Sequence, residues 1–189
     1  FTNRCRLGEA EFSAAPKLRF LGLTATGFDK IDLAAARRHH VAVCNVPGYS
    51  TMSVVQQVFA LLLDLTNRAR SLDGEVRKGR WTQEPGDCAW DYPLLCLDDK
   101  TFGVVGTGEI GCAAARIARG FGMRVLGFSR TKRKEFEGEY VSLDELLRQS
   151  DVVSLHCPAN AETTGMINRA AIDKMKRGAI LINTARGAL

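Results

Sequence analysis

Long apolar runs are missing from this 189-residue chain. None approaches the roughly 20 residues of a membrane-spanning helix, so no transmembrane anchoring is expected. No basic segment followed by an apolar one opens the chain, so no export signal is expected either. The first residues are Phe1-Thr2-Asn3, without Met, as in a fragment or a processed product. The six cysteines include no Cys-x-x-Cys pair. That spacing argues against a zinc site or a disulfide framework and predicts reduced thiols, no bound metal and a cytoplasmic location. Charge of one sign is not concentrated. Lys and Arg exceed Asp and Glu by 26 to 21, and the only dense basic run is Arg130-Thr131-Lys132-Arg133-Lys134. A nucleic-acid partner would want a broader stripe. Internal repeats and low-complexity segments are also absent.

What is present is an ordinary apolar share, 46%, enough for a buried core. One stretch organises it: Val104-Val105-Gly106-Thr107-Gly108-Glu109-Ile110-Gly111. The Gly-x-Gly-x-x-Gly spacing is weak evidence alone, but its flanks are what the motif needs. Thr101 to Val105 reads as a buried strand, Cys112 to Phe121 as an Ala-rich helix and Arg124 to Phe128 as a second strand. Strand, glycine turn, helix and strand make a nucleotide-binding βαβ unit. Gly106 would make the tight turn, Gly108 would let a pyrophosphate approach the backbone, and Gly111 would let the helix lie close to the sheet. The helix start then offers N–H groups and a positive dipole end to phosphates.

The rest of the chain alternates in the same way. Leu18 to Leu23 and Val41 to Val46 read as strands around a short helix, Leu33 to Arg38, with Asp32 as its N-cap. Pro47-Gly48 reads as a hinge. A long helix follows from about Val54 to Val76, with a stripe of Val54, Val58, Leu61, Leu62 and Leu65. It suits either a subunit-packing surface or a cover for the core. Gly79 to Pro93 reads as a loop whose Trp81 and Trp90 either line a cleft or pin the loop down. Ser142-Leu143-Asp144-Glu145 is a capping box opening a helix through Leu147. Val152 to Leu155 is a third strand of this half, Arg169 to Met175 a helix stopped by Gly178, and Ala179 to Ile182 a fourth strand. The alternation predicts an α/β fold with a doubly wound parallel sheet.

Four segments, in order, resemble the D-isomer-specific 2-hydroxyacid dehydrogenase family. They are Thr24-Ala25-Thr26-Gly27-Phe28-Asp29, Asn45-Val46-Pro47-Gly48-Tyr49-Ser50-Thr51, the glycine motif, and His156-Cys157-Pro158 with Asn183-Thr184-Ala185-Arg186-Gly187. Val46 to Thr51 and Trp90-Asp91-Tyr92-Pro93 look like the glycerate dehydrogenase or hydroxypyruvate/glyoxylate reductase branch. The resemblance implies a Rossmann domain, incomplete at its C-terminal end, from residue 47 to 189. Residues 1 to 46 would be a remnant of a flavodoxin-like substrate domain. It implies hydride transfer between a nicotinamide and a small 2-oxo or 2-hydroxy acid, and the long helix makes the 54–76 region the expected surface of a homodimer. A corepressor-like module that binds dinucleotide without catalysis is the alternative, because the family's catalytic Glu and His match no residue of this chain.

The resemblance assigns Arg186 to the substrate's carboxylate and keto oxygen. A guanidinium suits that task, being planar, permanently charged and able to bond two oxygens. Thr26 and Gly27 match a turn whose N–H groups meet the carboxylate. Cys157, Pro158 and Thr163 match positions at the adenosine half of the cofactor, Thr184 and Ala185 positions near its nicotinamide, and Thr51 a further contact. Gly106, Gly108, Glu109, Ile110 and Gly111 complete the pyrophosphate turn. His156 ends a strand and tempts as a general acid, but the resemblance puts it in the cofactor wall. Cys112 follows the last glycine and is either a small packing residue or a thiol lowered by the helix dipole. Ser129, Arg130 and Thr131 stand where NAD-binding relatives carry an Asp for the ribose 2′-hydroxyl. No carboxylate there repels a 2′-phosphate and Arg130 can pair with one, so NADP(H) is expected over NAD(H).

Overall fold

The computed structural model describes residues 1–83 and 94–189. Trp90 and the Asp91-Tyr92-Pro93 segment lie outside the described residues. The chain forms two compact units, Phe1–Thr51 and Met52–Leu189. This division falls at the start of the long helix and not at residue 46. The reason is local. Val46 N–H donates to Ala25 O at 3.1 Å and Thr51 N–H to Gly48 O at 3.2 Å, so the Pro47–Ser50 turn stays with the first unit.

The first unit runs α1 (Glu9–Ala14), β1 (Phe20–Gly22), α2 (Leu33–Arg38) and β2 (Ala42–Cys44). The strands pair in parallel, Phe20 opposite Ala42, and are shorter than the apolar runs containing them. Asp32 caps α2 through Ala35 N–H at 2.9 Å. The short α1 carries no long apolar stripe to announce it. Its Glu11 carboxylate reaches back to Gly8 N–H at 2.8 Å, and Phe12 anchors it in a core with Leu21, Leu23, Ile31, Ala35, Ala36 and Val41. Glu9 pairs with both Arg38 and His39. These two partners hold its carboxyl down at about 2.

The second unit begins with α3 (Thr51–Asn67), α4 (Ala69–Arg77) and α5 (Arg80–Gln83). The single helix expected over 54–76 is therefore two. Arg68 sits at φ 48°, in the left-handed region, which a helix interior does not tolerate. Two residues earlier the Thr66 hydroxyl donates to Leu62 O at 3.0 Å, and such back-bonding bends helices. The start of the expected 79–93 loop is also helical, and Trp81 there is half exposed.

β3 (Thr101–Val105), α6 (Glu109–Gly120), β4 (Arg124–Phe128), β5 (Glu139–Tyr140), α7 (Leu143–Gln149), β6 (Val152–Leu155), α8 (Arg169–Ile172) and β7 (Ile180–Asn183) complete the unit. The strands form one parallel sheet in the order β5-β4-β3-β6-β7. Period-two alternation sorts their side chains to two faces. Phe102, Val104, Val125, Val152 and Ile182 join Val55, Val58, Phe59 and Leu62 of α3 and the alanines of α6. Val105, Leu126, Val153 and Leu155 join Leu146 and Leu147 of α7 and Ala171 of α8. Helices thus cover both faces, as a doubly wound sheet requires. Each fully buried Val, Leu or Phe contributes roughly 1.5–3 kcal/mol. The stripe of α3 differs from the expected one. Val55, Val58, Phe59 and Leu62 are buried, while Leu61 and Leu65 are exposed.

Three further boundaries move. α6 begins at the glycine turn itself, α8 ends at Ile172 instead of Met175, and α7 runs on to Gln149. The α7 capping box is formed, with Ser142 Oγ accepting from Glu145 N–H at 3.2 Å and the Glu145 carboxylate accepting from Ser142 N–H at 2.9 Å. The two-residue β5 carries no alternating pattern that could reveal it.

Candidate functional site

The chain leaves β3 in one direction to β4 and β5, then returns to the other side of β3 for β6 and β7. Strand order reverses between β3 and β6, and in open parallel sheets ligands bind in the crevice beyond the carboxyl ends at such a point. A cavity of about 350 Å³ lies there. Its walls come from three strand ends: Val105 to Gly108 after β3, Phe128 to Thr131 with Arg133 after β4, and His156, Cys157, Pro158, Asn160, Thr163 and Met166 after β6. A larger hollow, about 460 Å³, occurs in the first unit beside Phe12, Arg38 and His39. Its Arg38 and His39 are already engaged by Glu9, and its Arg19 donates to two backbone carbonyls.

The glycine turn is fixed by backbone. Gly106 has φ +95°, and a Cβ there would come within 2.7 Å of Cys157 N. Gly106 N–H donates to Phe128 O at 2.8 Å and His156 N–H to Val105 O at 2.7 Å. At Gly111 a Cβ would collide with the carbonyl oxygen of Gly106, so the helix can lie this close only without a side chain. Gly108 is different. A Cβ there would meet no protein atom within 4 Å, so its bareness serves the open space of the cavity and not the packing. Gly108 is the N-cap of α6, which leaves the N–H groups of Glu109, Ile110 and Gly111 without intrahelical acceptors. The Ile110 side chain packs toward the core, so only its backbone is available to a ligand.

Beneath the turn, Thr107 is buried and its hydroxyl bonds the Tyr140 hydroxyl at 2.8 Å. The same Tyr140 oxygen accepts from Arg133 N–H at 2.8 Å. One phenol on β5 therefore ties the glycine turn to the segment after β4. The sequence motifs do not single out Thr107, Tyr140, Arg133, Asn160 or Met166 for this site. Thr107 was visible as the variable residue inside the motif, whereas Tyr140 is brought in only by sheet pairing.

His156 bonds Ser154 Oγ through Nε2 at 2.9 Å. Burial pushes its pKa down to about 4, so the ring is neutral near pH 7, and it lines the cavity wall. Burial likewise pushes the thiols of Cys112 and Cys157 up. Cys112 donates to Thr107 O at 3.3 Å, which favours the packing role. Asn160 Oδ1 accepts from Glu162 N–H at 2.9 Å and Thr163 N–H at 3.1 Å, making a self-bonded turn after β6. Arg130, expected to pair with a 2′-phosphate, already has a protein partner. It pairs with Glu162 of that turn at 2.5 Å.

Thr184, Ala185 and Arg186 follow β7 and are not part of the cavity lining. Asn183 shapes their turn, its Oδ1 accepting from Ala185 N–H at 3.0 Å and its Nδ2 donating to Arg186 O at 2.8 Å. The Thr184 hydroxyl is buried and has no hydrogen-bond partner among the described residues. Thr26, Gly27 and Thr51 belong to the first unit. The Thr26 hydroxyl donates to Val46 O at 3.0 Å and Asn45 Nδ2 to Thr26 O at 2.8 Å.

A bare Gly108 facing open space and a helix start without a side-chain cap, both at the cavity, fit a dinucleotide. Residues 59–189 match the model of the D-isomer specific 2-hydroxyacid dehydrogenase NAD binding domain. The chain belongs to this family of oxidoreductases. It is 42% identical over 192 residues to a hydroxypyruvate reductase of Blautia hydrogenotrophica, covering 100% of this chain and 60% of that protein. It therefore spans less than two thirds of that relative's length. A D-lactate dehydrogenase from Aquifex aeolicus, solved with NAD and lactic acid, superposes with a TM-score of 0.86 at 39% identity. That match covers 99% of this chain and 56% of the other. The acyclic imino acid reductase Bsp5, solved with NADPH and D-Arg, superposes with a TM-score of 0.85 at 32% identity, over 98% of this chain and 59% of the other. Structures similar to this chain are thus known with either dinucleotide. Among the described residues, no helix is long and apolar enough to cross a membrane.

Proposed function

We propose that the full-length protein is a cytoplasmic hydroxypyruvate or glyoxylate reductase, converting a small 2-oxo acid to the D-2-hydroxy acid. The observation that carries the reading is Arg186 on the turn after β7, in the sheet whose neighbouring strands form the switch-point cavity. Gly106, Gly108 and the free N–H groups of Glu109, Ile110 and Gly111 hold a pyrophosphate. Cys157, Pro158 and Thr163 border the adenosine half, and Thr184, Ala185 and Thr51 serve the nicotinamide half. When bound, the nicotinamide supplies or accepts the hydride. Arg186 grips the substrate carboxylate and keto oxygen, and its positive charge draws electron density from the carbonyl carbon. The Thr26-Gly27 turn offers further N–H donors to the carboxylate. His156 stays neutral and moves no proton. No residue of this chain is assigned as the general acid, so the 189 residues alone should have negligible dehydrogenase activity.

The first unit, on this reading, is part of the substrate domain. The exposed Leu61 and Leu65 of α3 support a homodimer through this helix region, while its buried face covers the core. Ser129, Arg130 and Thr131 favour NADPH over NADH, because no carboxylate from this strand end repels a 2′-phosphate and Arg130 can turn to it. Turnover of hydroxypyruvate and glyoxylate by the full-length protein and its Arg186→Ala variant tests the assignment. The expected result is loss of nearly all activity, and an unchanged rate overturns it.

A further inference from the structure

We infer that Glu162 is a specificity-determining residue, acting as a competitor for Arg130 against the cofactor's 2′-phosphate. The inference rests on the NADPH reading above and deepens it. Arg130 borders the cavity on the β4 side. Glu162 lies on the β6 side, between Asn160 and Thr163, which also border it. The Arg130–Glu162 pair at 2.5 Å therefore spans the mouth from one loop to the other. Strands β4 and β6 flank β3, so this bridge lies across the switch-point crevice.

The two partners are not equally held. Glu162 sits on a turn locked by its own bonds. Asn160 Oδ1 accepts two N–H groups, Asn160 N–H donates to Thr163 Oγ1 at 2.9 Å, and Thr163 Oγ1 donates to Pro158 O at 2.6 Å. Arg130 carries a long side chain on the outer end of β4, and Glu162 is its one hydrogen-bonded acceptor among the described residues. When a 2′-phosphate arrives, Arg130 is the partner that moves. The phosphate gains the guanidinium only by displacing Glu162, whose carboxylate then stands unpaired near a dianion. A 2′-hydroxyl makes no such demand, so with NADH the pair stays closed. Both side chains are largely exposed, so the competition is worth what one surface ion pair is worth, up to about fivefold in affinity. The carboxylate that NAD-binding relatives place at the end of β4 is thus supplied from the opposite loop, where it tempers the preference without cancelling it.

The test is a set of dissociation constants by calorimetry, for NADPH, NADH and adenosine 2′,5′-bisphosphate. They are measured on the full-length native protein, Glu162→Gln and Arg130→Ala. The expected result is that Glu162→Gln tightens NADPH and the bisphosphate about twofold to fivefold and leaves NADH unchanged. The gain should shrink at high salt, since exposed pairs are screened. If Arg130→Ala weakens NADPH while Glu162→Gln changes nothing, or shifts both dinucleotides equally, the role of Glu162 is overturned and the NADPH reading stands. If Arg130→Ala leaves the NADPH to NADH ratio untouched, that reading fails and this inference with it.

Discussion

The two ends of the cavity are built by different physics. At the glycine turn, position is enforced by backbone. Gly106 has no room for a Cβ, its N–H is bonded to β4, and a buried Thr107 is fastened to Tyr140. At the rim proposed for the ribose, Ser129, Arg130 and Glu162 are solvent-accessible, and a single ion pair joins Arg130 to Glu162. The turn cannot vary without moving two strands, whereas the rim can change by one side chain. A pyrophosphate is common to both dinucleotides and a 2′-phosphate is not, so on the proposed reading the rigid end would serve the shared group and the adjustable end the distinguishing one.

The largest expected effect comes from breaking the rigid end. Gly106→Ala puts a methyl against Cys157 N in a backbone conformation unsuited to it. We expect a loss of about 1–3 kcal/mol in stability, read from the urea midpoint, with both dinucleotides losing affinity together. Retained binding would show that the turn is softer than its geometry implies. At the adjustable end, the double variant Ser129→Asp, Arg130→Ala introduces a carboxylate and removes the guanidinium. It should shift the NADPH to NADH affinity ratio toward NADH by about tenfold to a hundredfold, the range for losing one charge-assisted bond. An unmoved ratio would mean the rim does not read the ribose.

His156 belongs to the rigid end and makes a pH prediction. Its folded pKa, about 4, lies below its ordinary value of 6.5. The unfolded chain therefore takes up the proton first as pH falls. The stability His156 gives above pH 6.5 is lost as pH drops through the window to about 4 and changes no further below it. The ring keeps some solvent access at the cavity wall, so we expect about 1–3 kcal/mol across that window. Denaturant titrations should show the slope in the native protein and lose it in His156→Asn. In the intact enzyme, that variant should reduce turnover far less than the 10²–10⁴-fold expected for losing a general acid.

The smallest effect should come from Tyr140→Phe, which cuts the tie between the two ends while keeping the ring against Phe136. Losing its bonds to Thr107 and Arg133 N–H, each worth about 1 kcal/mol to the fold, should weaken both dinucleotides slightly and equally and leave their ratio alone. A change in the ratio would make Tyr140 part of the rim and not of the scaffold.

The sequence by itself determined the elements that rest on local rules. The glycine spacing with its flanking strands, the Asp32 cap and the Ser142–Glu145 box all formed where their residues stand, because caps and buried strands are written in neighbouring side chains. It also placed eight of the site residues, Gly106, Gly108, Ser129 to Thr131, Cys157, Pro158 and Thr163, around one cavity, since all follow strand ends of a parallel sheet. Long-range contacts were not legible. The break at Arg68 interrupts a periodicity that continues on both sides, and two-residue β5 exists only because β4 offers it an edge. Glu162 lies 32 residues from Arg130 in the chain, and neither neighbourhood hints at the other. Only the tertiary structure decided that meeting, because β4 and β6 flank the same strand and bring two exposed loops across one crevice.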